Sequence, residues 1–155
     1  MSQSALSQRD LDTPRLRVVV ADDDDDMRSL VAEGLRRDRH VVAELEHGGQ
    51  VLELLAVGGA NPPKDLVDVL VTDVRMPYVD GVLLVRTLRA AGWACPAIIM
   101  TAFGDEQTHA AAHELGALIL DKPFELHDLR QLVIYAWELA TSTRARSAPP
   151  PTTQR

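Results

Sequence analysis

VVVADDDDDMRSLV, residues 18 to 31, sets five consecutive aspartates directly after an apolar run. An apolar run that stops abruptly at charge reads as the end of a buried strand, and Met27, Leu30, Val31 and Leu35 then recur at helical spacing. The stretch therefore reads as strand, turn, helix. A block of like charges is usually a solvated segment, so the aspartates acquire a function only if other chemistry-bearing residues reach the same place.

Outward from this stretch, the first run, RVVVA (17 to 21), is followed by VVAEL (41 to 45), VDVLVT (67 to 72), AIIMT (97 to 101) and LILD (118 to 121). Three of the five are almost continuously apolar, as parallel strands covered on both faces are. Helical patterns lie between them, with Val82, Leu84, Val85 and Leu88 in one and Leu126, Leu129, Val133, Ala136 and Ala140 on the stripe of the last. The order βαβαβαβαβα predicts an α/β fold, a doubly wound five-stranded parallel sheet with right-handed crossovers. Glycine and proline punctuate it: Gly48 and Gly49 precede the second helix, GGANPPK (58 to 64) separates that helix from the third strand, and Gly92 and Gly116 end the third and fourth helices.

At 155 residues and 46% hydrophobic, the chain suits one domain with a substantial core. Residues 1 to 14 and the Pro, Thr and Arg segment 143 to 155 are expected to be disordered tails around a domain at 15 to 142. The whole chain carries -7; with three arginines from residue 144 onward and -1 over the first 14 residues, residues 15 to 143 carry -9. Such a surface repels phosphates, so no direct nucleic acid binding is expected. The one cysteine, Cys95, allows no internal disulfide and suits a reducing compartment. No stretch approaches a membrane span or a signal core, and a cytoplasmic location is the expectation.

Ligands of open parallel sheets bind beyond the carboxyl ends of the strands. Those ends carry Asp22 and Asp23, Asp73, Thr101 and Lys122, while the second strand ends in EHGG, which offers nothing comparable. Crowded carboxylates repel, so one must protonate or a cation must sit among them. Oxygen-only ligands select a hard ion, and Mg²⁺ completed by water and phosphate oxygens is the expected one. Lys122 and Thr101 could then meet further phosphoryl oxygens, leaving Asp73 as nucleophile. In the aspartate run, Asp24 reads as loop, Asp25 as N-cap of the first helix and Asp26 as part of its first turn. His109 and His113 lie four apart on one helical face, but without a third ligand they read as exposed helix positions. Trp93 and Trp137 read as packing aromatics.

Four motifs together resemble the receiver domain of two-component response regulators over about residues 15 to 142. VVVADD resembles the acidic pair after the first strand, LVTDVRMPYVDG the phospho-acceptor segment, AIIMTA the fourth strand ending in Thr-Ala, and LDKPF the Lys-Pro-Phe after the fifth. The resemblance implies a flavodoxin-like (βα)5 fold and phosphorylation of Asp73 by a sensor histidine kinase or phosphotransfer protein. It also implies Mg²⁺ held by Asp22, Asp23, Asp73 and the main-chain carbonyl of Arg75, phosphoryl contacts from Thr101 and Lys122, and a cis peptide between Lys122 and Pro123.

Two departures from the family matter. Where most receivers place a switch aromatic three residues before the lysine, this chain has Ile119, so signalling is expected to rest on Thr101, the loop after it and the fourth helix. The positions that flank the path of hydrolytic water are Arg75 and Phe103, both expected to tune the lifetime of the phosphorylated form. The resulting expectation is a stand-alone, chemotaxis-regulator-like receiver whose own catalysis is limited to accepting and losing phosphate. It would act by docking on an unidentified downstream protein or by passing the phosphate on. The rival reading is a haloacid-dehalogenase-like, Mg²⁺-dependent phosphatase with Asp22 as nucleophile; Asp26 stands where that family has Thr or Val.

Overall fold

The computed structural model describes residues 12–56, 66–102 and 105–147. Five strands, β1 (Arg17–Ala21), β2 (Val41–Leu45), β3 (Val69–Asp73), β4 (Ala97–Ala102) and β5 (Leu118–Lys122), alternate with five helices, α1 (Asp25–Arg37), α2 (Gly48–Ala56), α3 (Gly81–Ala90), α4 (Glu106–Glu114) and α5 (Leu126–Ser147). All neighbouring strands are parallel, in the order β2-β1-β3-β4-β5. This is the flavodoxin-like arrangement, and its strand order reverses between β1 and β3.

Side chains alternate across each strand and feed two cores. Val19, Ala21, Leu70 and Ile99 pack under α2, α3 and α4 with Val51, Leu84, Val85 and Ala112. Val18, Val20, Val71, Ile98 and Met100 pack on the other face with Val31 and Leu35 of α1 and Leu129 and Val133 of α5. The three nearly continuous apolar runs are β1, β3 and β4, buried throughout apart from Arg17 and Ala102, whereas the edge strands β2 and β5 are largely half-buried. Trp93 lies in the first core, and Trp137 packs half-buried against the second. Gly92 and Gly116 adopt φ of +82° and +65° just past the ends of α3 and α4, the left-handed turn that closes a helix.

Three local expectations are corrected. The N-cap of α1 is Asp24, not Asp25: its carboxylate accepts from the amides of Asp26 and Met27, and Asp25 opens the helix. Gly48 and Gly49 form the first turn of α2 instead of preceding it. Helix α5 continues to Ser147, so residues 143 to 147 are helical, with the Thr143 and Ser147 hydroxyls bonded to carbonyls four residues back. The GGANPPK segment, most of the N-terminal tail and residues 148 to 155 lie outside the described residues.

Candidate functional site

The strand ends bring their chemistry to one edge of the sheet because β1, β3, β4 and β5 are parallel and in near register. Asp22 follows β1, Asp73 ends β3, Thr101 lies one residue before the end of β4, and Lys122 ends β5. One carboxylate oxygen from each of Asp22, Asp23 and Asp73 lies within 4.8 Å of the other two. Lys122 Nζ donates to Asp73 Oδ1 at 2.8 Å. Thr101 is buried at the same edge, Asp22 and Asp73 are buried, and Asp23 is exposed.

Local structure explains how these side chains are held. The turn after β1 is fixed from inside by the Asp24 amide donating to Asp22 Oδ1 at 3.0 Å. It is fixed from behind by Arg28, whose guanidinium donates to the Asp22 carbonyl at 2.7 Å and to Asp25 Oδ1 at 2.5 Å. Beyond β3 the chain doubles back: the Gly81 amide donates to the Val74 carbonyl at 2.8 Å. A Cβ at position 81 would lie 2.2 Å from the Asp73 carbonyl oxygen, so only glycine permits this closure next to the acceptor candidate. Asp80 then caps α3 through the Leu83 amide. The peptide between Lys122 and Pro123 is cis.

The acidic group has the chemistry of a cation site. Asp22 Oδ2 is buried without a hydrogen-bond partner among the described residues. Burial, followed by weaker effects that include repulsion from Asp73 and Asp23, pushes the Asp22 carboxyl up from 3.8 to about 6. An orphaned buried oxygen among three converging carboxylates is what a hard divalent cation satisfies, and the all-oxygen donor set fits Mg²⁺. Receiver domains bind Mg²⁺ at such an aspartate cluster. Asp23 and Arg75 also line an adjoining cleft of about 660 Å³, walled by Met76 and Pro77 on one side and Gln107 and Thr108 on the other.

Sequence reasoning missed Asp105. Thr101 Oγ1 donates to Asp105 Oδ2 at 3.3 Å, and the same carboxylate caps α4 by accepting from the hydroxyl and amide of Thr108. Bonds from the Thr108 side chain and amide, with smaller help from Thr101 and Arg75, hold the Asp105 carboxyl below its ordinary value. An Asp three residues before Thr108 at the start of a helical pattern is an N-cap signal, but its bond to Thr101 depends on tertiary structure. His109 is not an isolated surface position: its Nε2 lies 2.7 Å from Asp121 Oδ1 of β5. Ile119 is half-buried against the first core, opposite Ile99 in the β4–β5 register. Phe103 lies outside the described residues. Cys95 is buried, and burial pushes its thiol up to about 12, leaving it unreactive.

The comparisons agree with this geometry. The family model described as the response regulator receiver domain matches residues 18–134. The DNA-binding transcriptional regulator NtrC of Escherichia coli strain K12 is 35% identical over 117 residues, 75% of this chain and 24% of that protein. Response regulator MprA of Mycobacterium ulcerans is 35% identical over 116 residues, 74% of this chain and 47% of that protein. The chain thus spans a quarter to a half of the length of these two relatives. Among solved structures, the receiver domain of the Francisella response regulator 1452 superposes with a TM-score of 0.71 at 25% identity, covering 81% of this chain and 99% of that one. NtrX from Brucella abortus, at 21% identity and a TM-score of 0.75, covers 86% of this chain and 29% of that one and shares the fold. The haloacid-dehalogenase-like reading finds no support in these matches, and Asp22, its nucleophile, is fully buried with one oxygen already bonded to the Asp24 amide. The chain belongs to the response regulator receiver domain family, the phosphorylation-activated switch of two-component systems.

Proposed function

We propose that Asp73 is the residue that receives the phosphoryl group and that Asp22, Asp23, Asp73 and the main-chain carbonyl of Arg75 would hold Mg²⁺ beside it. The observation that carries this reading is the 2.8 Å contact of Lys122 Nζ with Asp73 Oδ1 at the edge of the three-carboxylate group. When bound, the cation neutralises carboxylate repulsion and offsets charge on phosphoryl oxygens. Asp73 attacks the phosphorus of a phosphohistidine, the P–N bond breaks, and the released imidazole takes up a proton as an acyl phosphate forms on Asp73. Lys122 moves its contact to a phosphoryl oxygen, and Thr101 supplies a hydroxyl donor to another.

The donor is a sensor histidine kinase or a phosphotransfer protein. Phosphate leaves the acyl phosphate by attack of water, at a rate that Arg75 and Phe103 would tune. The phosphorylated domain acts by docking on another protein or by onward transfer, with Ile119 and its surroundings as the face to test first. Chemistry of this kind, together with a single unreactive thiol, suits the cytoplasm, and the -9 charge of residues 15 to 143 leaves the domain without a footprint for nucleic acid.

Incubation with acetyl phosphate and Mg²⁺, followed by peptide mass analysis, is the direct test. A phosphoryl adduct on Asp73 that needs Mg²⁺ is the expected result. An unmodified Asp73, or an adduct on Asp22, overturns the assignment.

A further inference from the structure

Helix α4 gives the core little to hold. Of its nine residues, EQTHAAAHE, only Thr108 and Ala112 are buried, so apolar burial contributes little to its position. Side-chain bonds to the sheet add to what holds it. Asp105, its N-cap, accepts from Thr101 of β4 at 3.3 Å, and His109, one turn on, meets Asp121 of β5 at 2.7 Å. The two anchor points are adjacent on the sheet, because Thr101 lies opposite Asp121 in the β4–β5 register.

Phosphoryl transfer affects these anchors unequally. The Thr101 hydroxyl has one proton to donate, so a hydroxyl drawn to a phosphoryl oxygen on Asp73 releases Asp105. The His109–Asp121 contact uses no atom of the reacting site and survives that step. Ile119, packed against the core from β5, has no ring or hydroxyl with which to follow Thr101. The polar pair is therefore a restraint that remains on the β5 side of α4.

We propose that His109 and Asp121 are positioning residues whose contact holds α4 against β5 in the unphosphorylated protein and opposes the loosening of α4 that release of Asp105 from Thr101 would bring. This rests on the reading of Asp73 as acceptor. A ligand or covalent group shifts a two-state equilibrium only through its different fit to the two states, so removing a contact made only in the resting state raises the share of the reactive form. The pair is partly exposed, with side chains 43% and 33% accessible, and exposed pairs are weak. The expected effect is a roughly two- to fivefold change in rate.

The test uses the full chain, Mg²⁺ and acetyl phosphate, with the rate of adduct formation on Asp73 and the hydrogen exchange of α4 amides as paired readouts. His109→Ala and Asp121→Ala are each expected to speed labelling roughly two- to fivefold and to speed exchange in α4. The double variant should do no more than either alone, the signature of one shared contact. His109→Gln, which keeps an N–H for Asp121, should return both readouts close to the parent, and His113→Ala, exposed on the same helix, should change neither. Unchanged exchange and labelling in His109→Ala, multiplied effects in the double variant, or failure of Gln to rescue would each overturn the proposal. If the parent takes no label on Asp73, the acceptor assignment fails while α4 exchange still decides the tether: faster in His109→Ala and Asp121→Ala supports it, unchanged refutes it.

Discussion

Helices α1 and α4 both follow a strand that ends in the site, yet they are held in different ways. Helix α1 spans 13 residues, buries Val31, Ala32, Gly34 and Leu35, and is capped at both ends. It is also pinned by Arg28 to the Asp22 carbonyl, by Arg36 to Glu44 at 2.9 Å and by Asp38 to Arg130 of α5. Helix α4 spans nine residues, buries two, and rests on polar contacts. The half of the site where three carboxylates converge is thus backed by a packed element. The half proposed to meet the phosphoryl group, at Thr101, is backed by a helix with little buried apolar surface, and moving elements are drawn from the less stable end of a structure.

The largest effect expected bears on the chemistry that joins the halves. Asp73→Asn should abolish acyl phosphate formation, read by mass, and Lys122→Ala should slow it on the order of 100-fold by removing a preorganised charge. Persistent labelling of the Asp73→Asn variant at another aspartate would break the division of roles. Next, the packed half should lose more when packing is removed. Leu35→Ala should cost about 2–5 kcal/mol in denaturant unfolding, whereas Ala112→Gly in α4 should cost about 1 kcal/mol. Equal costs would erase the contrast.

A third effect separates the halves by pH. Asp22 titrates near 6 in the folded, metal-free protein against 3.8 when exposed. Its burial therefore costs roughly 3 kcal/mol, in full above pH 6, and that cost is relieved as pH falls from about 6 toward 4. The contribution of this group to stability should thus rise on acidification, Asp22→Asn should remove that rise, and the thermal stabilisation given by Mg²⁺ should fade below about pH 6. If the metal-free parent and the Asp22→Asn variant share one pH profile of stability, the shift does not belong to this carboxylate. The smallest effect is at a cap: Asp24→Ala should lower stability by about 1 kcal/mol while leaving the labelling rate at saturating Mg²⁺ near that of the parent. A large loss of rate would mean that Asp24 serves the cation and not only the helix.

How much of this was legible in the sequence differs by region for physical reasons. The central strands were readable because parallel strands buried on both faces need unbroken apolar runs, and the strand-end rule then located Asp22, Asp73, Thr101 and Lys122 without further information. The helix start within the aspartate run was not readable to one residue, since identical side chains carry no pattern; only the amide hydrogen bonds to Asp24 settle it. The end of α5 was missed because TSTRARS has no apolar stripe, and its helix is supported by hydroxyl bonds to its own backbone. The roles of Asp105 and Asp121 depend on which residues of β4 and β5 face each other, and that register is set by the whole sheet.

The spacing along the chain of the groups at the site has a consequence for quality control. Asp73 and Lys122 are 49 residues apart, and the carboxylates of Asp22 and Asp23 come from yet another strand end. No local segment brings these groups together, and contacts so distant in sequence are among the later ones to form as a chain folds. With Asp73 as the acceptor proposed above, a copy that has lost β5, or has not yet docked it, would carry that carboxylate without its ammonium partner and be a poor phosphate acceptor. On that reading, competence to receive the signal would report that the sheet is complete, and defective copies would fall silent without any separate device to recognise them.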